Sequence, residues 1–211
     1  METCGTQSSN PVEDSRWRAD QGAKDALPQN PGSRMEKIKG TDKSPRVIVR
    51  PVAETDIEGF QKCLDAVARE RIYLGFIEGP SLERIRFFVL KNISEDLPQF
   101  VAVKEQEVVG WCDVSPDTLP GFTHCGHLGM GVRKEHRRRG LGRRLLEATL
   151  QQAQAKGLER IELEVYASNN AAIELYKDTG FVVEGIKKRS RKLDGVYDDV
   201  VFMSKFNFRS P

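Results

Sequence analysis

The residues best suited to binding a ligand lie between Val132 and Arg143, where glycines separate a predicted strand from a predicted helix. Gly140 and Gly142 lack a Cβ atom, so an anion can approach their backbone closely. Successive backbone N–H groups at such a turn point into one concavity, and the dipole of the following helix adds positive potential. The segment therefore predicts a binding site for a phosphate or pyrophosphate group.

This glycine turn does not have the spacing of the common nucleotide-binding motifs. It is not GxxxxGK followed by Ser or Thr, and it is not GxGxxG. The Walker A and Rossmann nucleotide folds are therefore disfavoured.

Two longer patterns follow one another along the chain. They are Arg137-x-x-Gly140-x-Gly142, preceded by Val132 and followed by Leu145-Leu146, and Asn169-x-x-Ala172-Ile173-x-Leu175-Tyr176-x-x-x-Gly180-Phe181. Together they resemble the acetyl-CoA signatures of the GNAT acetyltransferase superfamily, and the resemblance extends from about Val47 to Phe206. It implies an N-acetyltransferase with acetyl-CoA as cosubstrate and no metal. The segment from Leu193 to Met203 resembles the branch that acetylates small amines, amino acids and ribosomal proteins.

The resemblance also implies which residues bind the cofactor. Gly129 and Gly131 flank Met130 in a predicted strand, where glycine often marks a bulge or the close approach of another backbone. The family places the pantetheine arm along this strand, and a backbone N–H there binds the oxyanion. Tight packing on a neighbouring strand is the alternative role for these glycines. The implied cofactor-binding residues are Met130, Gly131, Val132, Arg137, Arg138, Arg139, Gly140, Leu141, Gly142, Arg143 and Asn169.

Tyr176 is the catalytic residue that the resemblance implies. A thiolate leaving a thioester benefits from a proton donor, and a phenol with a pKa of about 10 can donate at neutral pH. The alternative is an ordinary tyrosine at the edge of the core. The cysteines have no partnered histidine in an obvious motif, so direct attack by the amine is favoured over an acyl-enzyme. For Asn169, the alternative to cofactor binding is a helix N-cap or loop position.

The general base stays open among five residues. Each could deprotonate an ammonium group through water, and each could instead be a solvated or ion-paired side chain. The candidates are Glu70, Glu78, His127, Glu162 and Glu164.

The hydrophobic pattern predicts the elements that position these residues. Ile57, Phe60, Leu64 and Val67 have helical spacing, whereas Ile161, Leu163 and Val165 alternate with polar residues as in a half-buried strand. Thr55 and Glu58 have the spacing of a capping box at the start of the first helix. We expect an α/β (α+β) GNAT fold, with a mostly antiparallel sheet of about seven strands and four helices.

The domain boundaries follow from composition. Residues 1–45 lack a sustained apolar period and are predicted to be a disordered tail. A docking or regulatory arm is the alternative for this segment. Residues 46–208 are predicted to form the acetyltransferase domain.

Charge and composition weigh against several other classes of protein. The 211 residues carry a net charge of only +2, and no apolar run approaches the length of about 20 residues needed to cross a membrane. The scattered cysteines and the absence of a secretory signal favour the cytoplasm. The basic run from Arg137 to Arg144 fits cofactor phosphates and solvated arginines better than nucleic acid. His124 and His127 point to opposite faces of a strand, so a metal site is not expected.

The acceptor is the least determined part of the function. A small amine, an amino acid or a protein N-terminus are all consistent with the sequence. A non-catalytic acyl-CoA sensor, or a nucleic-acid-binding module on the same fold, remains an alternative function. The sequence also leaves homodimer formation open.

Overall fold

The computed structural model describes residues 46–206, so the predicted tail and the last two residues of the predicted domain lie outside the described residues. Within this range the chain forms seven strands and four α-helices, which confirms the predicted fold class. The elements in chain order are β1 Ile48–Pro51, α1 Ile57–Ala68, α2 Leu82–Ser94, β2 Gln99–Lys104, β3 Glu107–Pro116, β4 Cys125–Val132, α3 Leu141–Ala155, β5 Arg160–Tyr166, α4 Asn170–Asp178, β6 Val182–Leu193 and β7 Val196–Phe206.

The sheet has one parallel pair of strands, and that pair creates the space for a ligand. The strand order is β1-β2-β3-β4-β5-β7-β6, and β4 and β5 are the parallel neighbours. Only Cys125–His127 of β4 pairs with Arg160–Glu162 of β5, although β4 continues to Val132 and β5 to Tyr166. Beyond the paired residues the two strands therefore diverge, and their facing edges lack a strand partner.

Helices cover both faces of the sheet. Leu145 and Leu146 of α3 are fully buried against one face, together with Ile161 of β5. Phe60 of α1 and Val89 of α2 are buried against the other face. Side chains alternate between faces along a strand, so the central strands β2 and β3 contribute to both hydrophobic cores.

The first helix begins differently from the sequence-based prediction. The structure starts α1 at Ile57, and no side chain caps it there. Instead, the Asp56 carboxylate accepts a hydrogen bond of 2.8 Å from the Ala53 N–H and two from the Arg50 guanidinium, at 2.6 and 2.8 Å. The capping box predicted at Thr55 is therefore wrong, because Asp56 is the N-cap residue and its carboxylate is bound to groups that precede the helix.

The glycines of β4 do not mark a bulge, and Gly131 is closely packed against its neighbouring strand. The pairing of β3 with β4 runs without interruption from Gly110 opposite Val132 to Pro116 opposite Gly126. A Cβ atom added at Gly131 would lie 2.3 Å from Cη2 of the Trp111 ring, which covers this position. A Cβ atom added at Gly129 would lie at an ordinary 3.4 Å from Oδ1 of Asp113.

This contrast gives a prediction about stability. Gly131→Ala should destabilise the protein by roughly 1–3 kcal/mol, because the buried Trp111 ring must shift to admit the methyl group. Gly129→Ala, two residues away on the same face, should have a much smaller effect. Thermal unfolding of the two variants measures the difference. Equal melting temperatures would show that the Trp111 ring does not constrain Gly131.

Candidate active site

The gap between β4 and β5 is a cavity of about 600 Å³. Its walls come from β4, the α1–α2 connection, the turn before α3 with the first turn of that helix, the end of β5 and the first turns of α4. All but one of the predicted site residues line it, namely Met130, Gly131, Val132, Arg137, Arg138, Gly140, Leu141, Gly142, Arg143, Asn169 and Tyr176. The exception is Arg139, whose side chain is exposed beside the cavity.

The turn before α3 presents free backbone donors to this cavity. Arg138 and Gly140 both adopt positive φ, of 56° and 72°, and Gly140 is the N-cap of α3. No side chain caps this helix, and no acidic residue lies in its first turn. The first N–H groups of a helix have no acceptor within it. The turn therefore offers backbone donors and positive potential to an anion.

Arg137 is already engaged by protein groups. Its Nε donates a hydrogen bond of 2.7 Å to the carbonyl of Val132, and its two terminal nitrogens bind the Glu70 carboxylate, with the Nη1–Oε2 distance 2.7 Å. Its guanidinium carbon also lies 4.6 Å from the centroid of the Tyr73 ring. The side chain thus ties the α1–α2 connection to the end of β4.

The free edge of β4 can pair with an extended ligand. The N–H of Arg133 donates a hydrogen bond of 2.9 Å to the carbonyl of Val109 on β3. Since backbone groups alternate in direction along a strand, the N–H and carbonyl of Met130 point away from β3 and into the cavity. This edge has the geometry needed to bind amide groups as an added strand would.

Tyr176 lies on α4 where the helix meets both the cavity and the core. The residue is only 7% exposed, and its ring lies 5.6 Å from that of Phe181, measured between centroids. Burial raises the pKa of the Tyr176 phenol above its usual value. No hydrogen bond of its hydroxyl is recorded within residues 46–206. The phenol is therefore protonated at neutral pH and can donate a hydrogen bond to a ligand.

Asn169 caps a helix, which is the alternative role that the sequence suggested for it. It is the N-cap of α4, and its Oδ1 accepts a hydrogen bond of 3.3 Å from the N–H of Ala172. It also lines the cavity, so its amide nitrogen is placed to donate to a ligand while the oxygen caps the helix.

Of the five candidate bases, Glu164 is the one that lines the cavity. Glu70 is bound to Arg137, and Glu162 to Arg160. Glu78 is exposed, 3.9 Å from Arg69, and the exposed His127 lies between Asp117 and Glu162. Glu164 is exposed and forms no ion pair with any other residue in the described part of the chain.

Sequence reasoning missed a further acidic residue, which brings the number of candidate titratable groups to six. Asp113 is 8% exposed on β3, and its burial raises the pKa of its carboxyl group to about 7. The available signal was a single acidic residue within the otherwise apolar run from Val108 to Val114.

No group of three or more His, Cys, Asp or Glu side chains in residues 46–206 could hold a metal ion. No α-helix in the same range is long and apolar enough to cross a membrane.

Comparison with known proteins agrees with this geometry. Residues 66–181 match the model of the acetyltransferase (GNAT) family. The chain is 29% identical over 110 residues to the L-amino acid N-acetyltransferase AaaT of Escherichia coli, covering 52% of this chain and 68% of that protein. It is 32% identical over 123 residues to an N-alpha-acetyltransferase of Saccharolobus solfataricus, covering 54% and 70%.

A solved structure extends the similarity to the whole fold. The acetyltransferase of the GNAT family from Streptococcus pneumoniae superposes with a TM-score of 0.72 at 28% identity, covering 77% of this chain and all of that one. The family match confirms acetyl-CoA as the acetyl donor and N-acetyl transfer as the reaction expected from the sequence. The chain belongs to the GNAT family of acetyltransferases.

Proposed function

We propose that the cavity between β4 and β5 binds acetyl-CoA and that the enzyme transfers the acetyl group directly to a primary amine in a ternary complex. One observation carries this proposal: the uncapped turn before α3, the free edge at Met130 and the Tyr176 phenol all line one cavity. The pyrophosphate lies at the turn, and the pantetheine arm runs along β4 towards Tyr176.

In this arrangement the amine nitrogen attacks the thioester carbonyl carbon and forms the new C–N bond. The Met130 N–H faces the cavity and stabilises the oxyanion of the tetrahedral intermediate. The C–S bond then breaks, the Tyr176 phenol donates its proton to the departing sulfur, and the resulting phenolate regains a proton, through water, from the nitrogen of the new amide. Glu164 removes the proton that the ammonium group must lose, through water. Holding both reactants in one site supplies much of the acceleration.

The acceptor is a primary amine, and the names of two relatives favour an α-amino group. The two relatives are named for acetylation of L-amino acids and for N-alpha-acetylation, and both reactions modify an α-amino group. The presence of Tyr176 in the cavity favours an enzyme over a non-catalytic acyl-CoA sensor.

The test is release of free CoA from acetyl-CoA when amines are added one at a time. The panel contains amino acids, short peptides with free N-termini and simple alkylamines. We expect CoA release and a mass increase of one acetyl group on the nitrogen of at least one amine. Acetyl-CoA binding without CoA release across the whole panel would contradict catalysis and favour the sensor.

Glu164→Gln tests the proposed base. At about pH 7 the variant should lose on the order of 10²-fold in kcat/KM, because the carboxamide cannot accept a proton. The loss should shrink at higher pH, where more of the amine is already neutral. The matched control is Glu162→Gln on the same strand, since Glu162 pairs with Arg160 and does not line the cavity. Equal losses in the two variants, or none in Glu164→Gln, would exclude Glu164 as the base.

A further inference from the structure

A second cavity, of about 810 Å³, lies between helices α1 and α2 and the strands β3 and β4. Aromatic rings dominate its walls, namely those of Phe60, Phe76, Phe87, Phe88 and Trp111. Its volume falls in the range of about 300–1,000 Å³ that is typical of small-molecule sites.

This aromatic cavity adjoins the cofactor cavity at the centre of β4. Gly129 and Met130 line both cavities, as do Leu74 and Gly75 of the α1–α2 connection. A molecule in the aromatic cavity can therefore reach the strand along which the thioester arm is proposed to lie.

Asp113 is an isolated carboxyl group in the wall of the aromatic cavity. It lies opposite Gly129 in the pairing of β3 with β4, and the missing side chain of Gly129 leaves space beside its carboxylate oxygens. The structure records no hydrogen bond or ion pair for the Asp113 side chain among residues 46–206. Burial of an unpaired charged group is costly. A cationic ligand would supply the positive charge that no protein group places beside the Asp113 carboxylate.

We propose that the aromatic cavity is the acceptor site and that it takes a primary amine with an apolar body of aromatic size, whose ammonium group is bound by Asp113. This inference deepens the proposed function and rests on it. The rings bury the body of the amine, the carboxylate binds its nitrogen, and the shared wall at Gly129 and Met130 directs that nitrogen towards the thioester.

The charges of the cavity favour an amine over the other apolar occupant, a long acyl chain of the donor. Glu83 and Arg84 of α2 are its other charged lining residues, and both are exposed. An acyl chain would bury Asp113 against methylene groups and leave its charge without a partner. An ammonium group pairs with the Asp113 carboxylate and removes that penalty. The positively charged Arg84 can in addition bind an anionic group on the same acceptor.

The experiment compares 2-phenylethylamine with 2-phenylethanol, which keeps the aromatic body and removes the positive charge. Binding to the full chain is measured by calorimetry at about pH 8, where the amine is charged. Since the pKa of Asp113 is about 7, its carboxylate is ionised there. The wild type should bind the amine on the order of 10-fold or more tightly than the alcohol.

Asp113→Asn should abolish this preference. The substitution keeps the shape of the side chain and removes a buried charge, so the melting temperature at about pH 8 should be unchanged or higher. If Asp113 had a purely structural role, the substitution would instead lower the melting temperature. Glu107→Gln is the matched control, because Glu107 is an exposed carboxylate on the same strand, bound to Arg133. It should keep both the preference and the stability.

The ligand comparison in the wild type decides the inference even if Asp113→Asn does not fold. Equal affinity for amine and alcohol, with CoA release from small hydrophilic amines, would overturn this inference and leave the acetyltransferase standing. Faster reaction with hexanoyl-CoA than with acetyl-CoA would assign the cavity to the acyl chain and also overturn it. An amine preference that disappears in Asp113→Asn, without CoA release from any amine, would support the amine site and contradict the proposed function.

Discussion

Gly140→Glu is expected to abolish measurable binding of acetyl-CoA while the protein stays folded. The position has room for a side chain, because a Cβ atom added there would meet no atom within 4 Å. A carboxylate at the first turn of α3 would occupy the place proposed for the pyrophosphate and repel it. Each phosphate contact of this kind contributes roughly 1.5–3 kcal/mol, so the dissociation constant should rise at least on the order of 10²-fold.

The backbone at Gly140 requires a matched control, since its φ of 72° strains any other residue. Gly157 offers one at the opposite end of α3, with a φ of 85° and no atom within 4 Å of an added Cβ. Gly157→Glu should cost similar stability and leave acetyl-CoA affinity unchanged. Calorimetry showing unchanged affinity in folded Gly140→Glu would contradict a phosphate site at this turn.

Tyr176→Phe should lower kcat on the order of 10²-fold with little change in acetyl-CoA affinity. The substitution keeps the buried ring and removes the proposed proton donor to the sulfur. Loss of rate without loss of binding is the mark of an interaction made in the transition state. Because the raised pKa of Tyr176 keeps the phenol protonated, the deficit should be the same from about pH 6 to about pH 9.

Acetyl-CoA binding must be measured directly in this experiment, because KM can hide a change of rate-limiting step. Single-turnover rates remove the contribution of product release. Tyr197→Phe is the control, since Tyr197 packs on Arg189 in the β6–β7 hairpin and lines neither cavity. If Tyr176→Phe kept the full single-turnover rate across this pH range, water or unaided departure of the thiolate would carry the step.

The sequence alone determined the features that depend on local patterns. The turn proposed to bind phosphate consists of neighbouring residues, so the glycine spacing from Arg137 to Gly142 was enough to predict a turn followed by a helix there. The strand at Ile161–Val165 was predictable for the same reason, because alternation follows from the geometry of one strand. These local signals also sufficed to predict the fold class and the family.

Tertiary structure decided the features that join residues far apart in the chain. Arg137 binds Glu70, and the structure thereby shows that two predicted site residues hold each other. Glu164 differs from the other candidate bases because it lies on β5 where that strand diverges from β4 and therefore lines the cavity. The pairing of β3 with β4 places Asp113 opposite Gly129, and no local sequence pattern encodes this pairing. Composition and spacing identify which residues can do chemistry, whereas pairing between distant elements determines which of them face the same cavity.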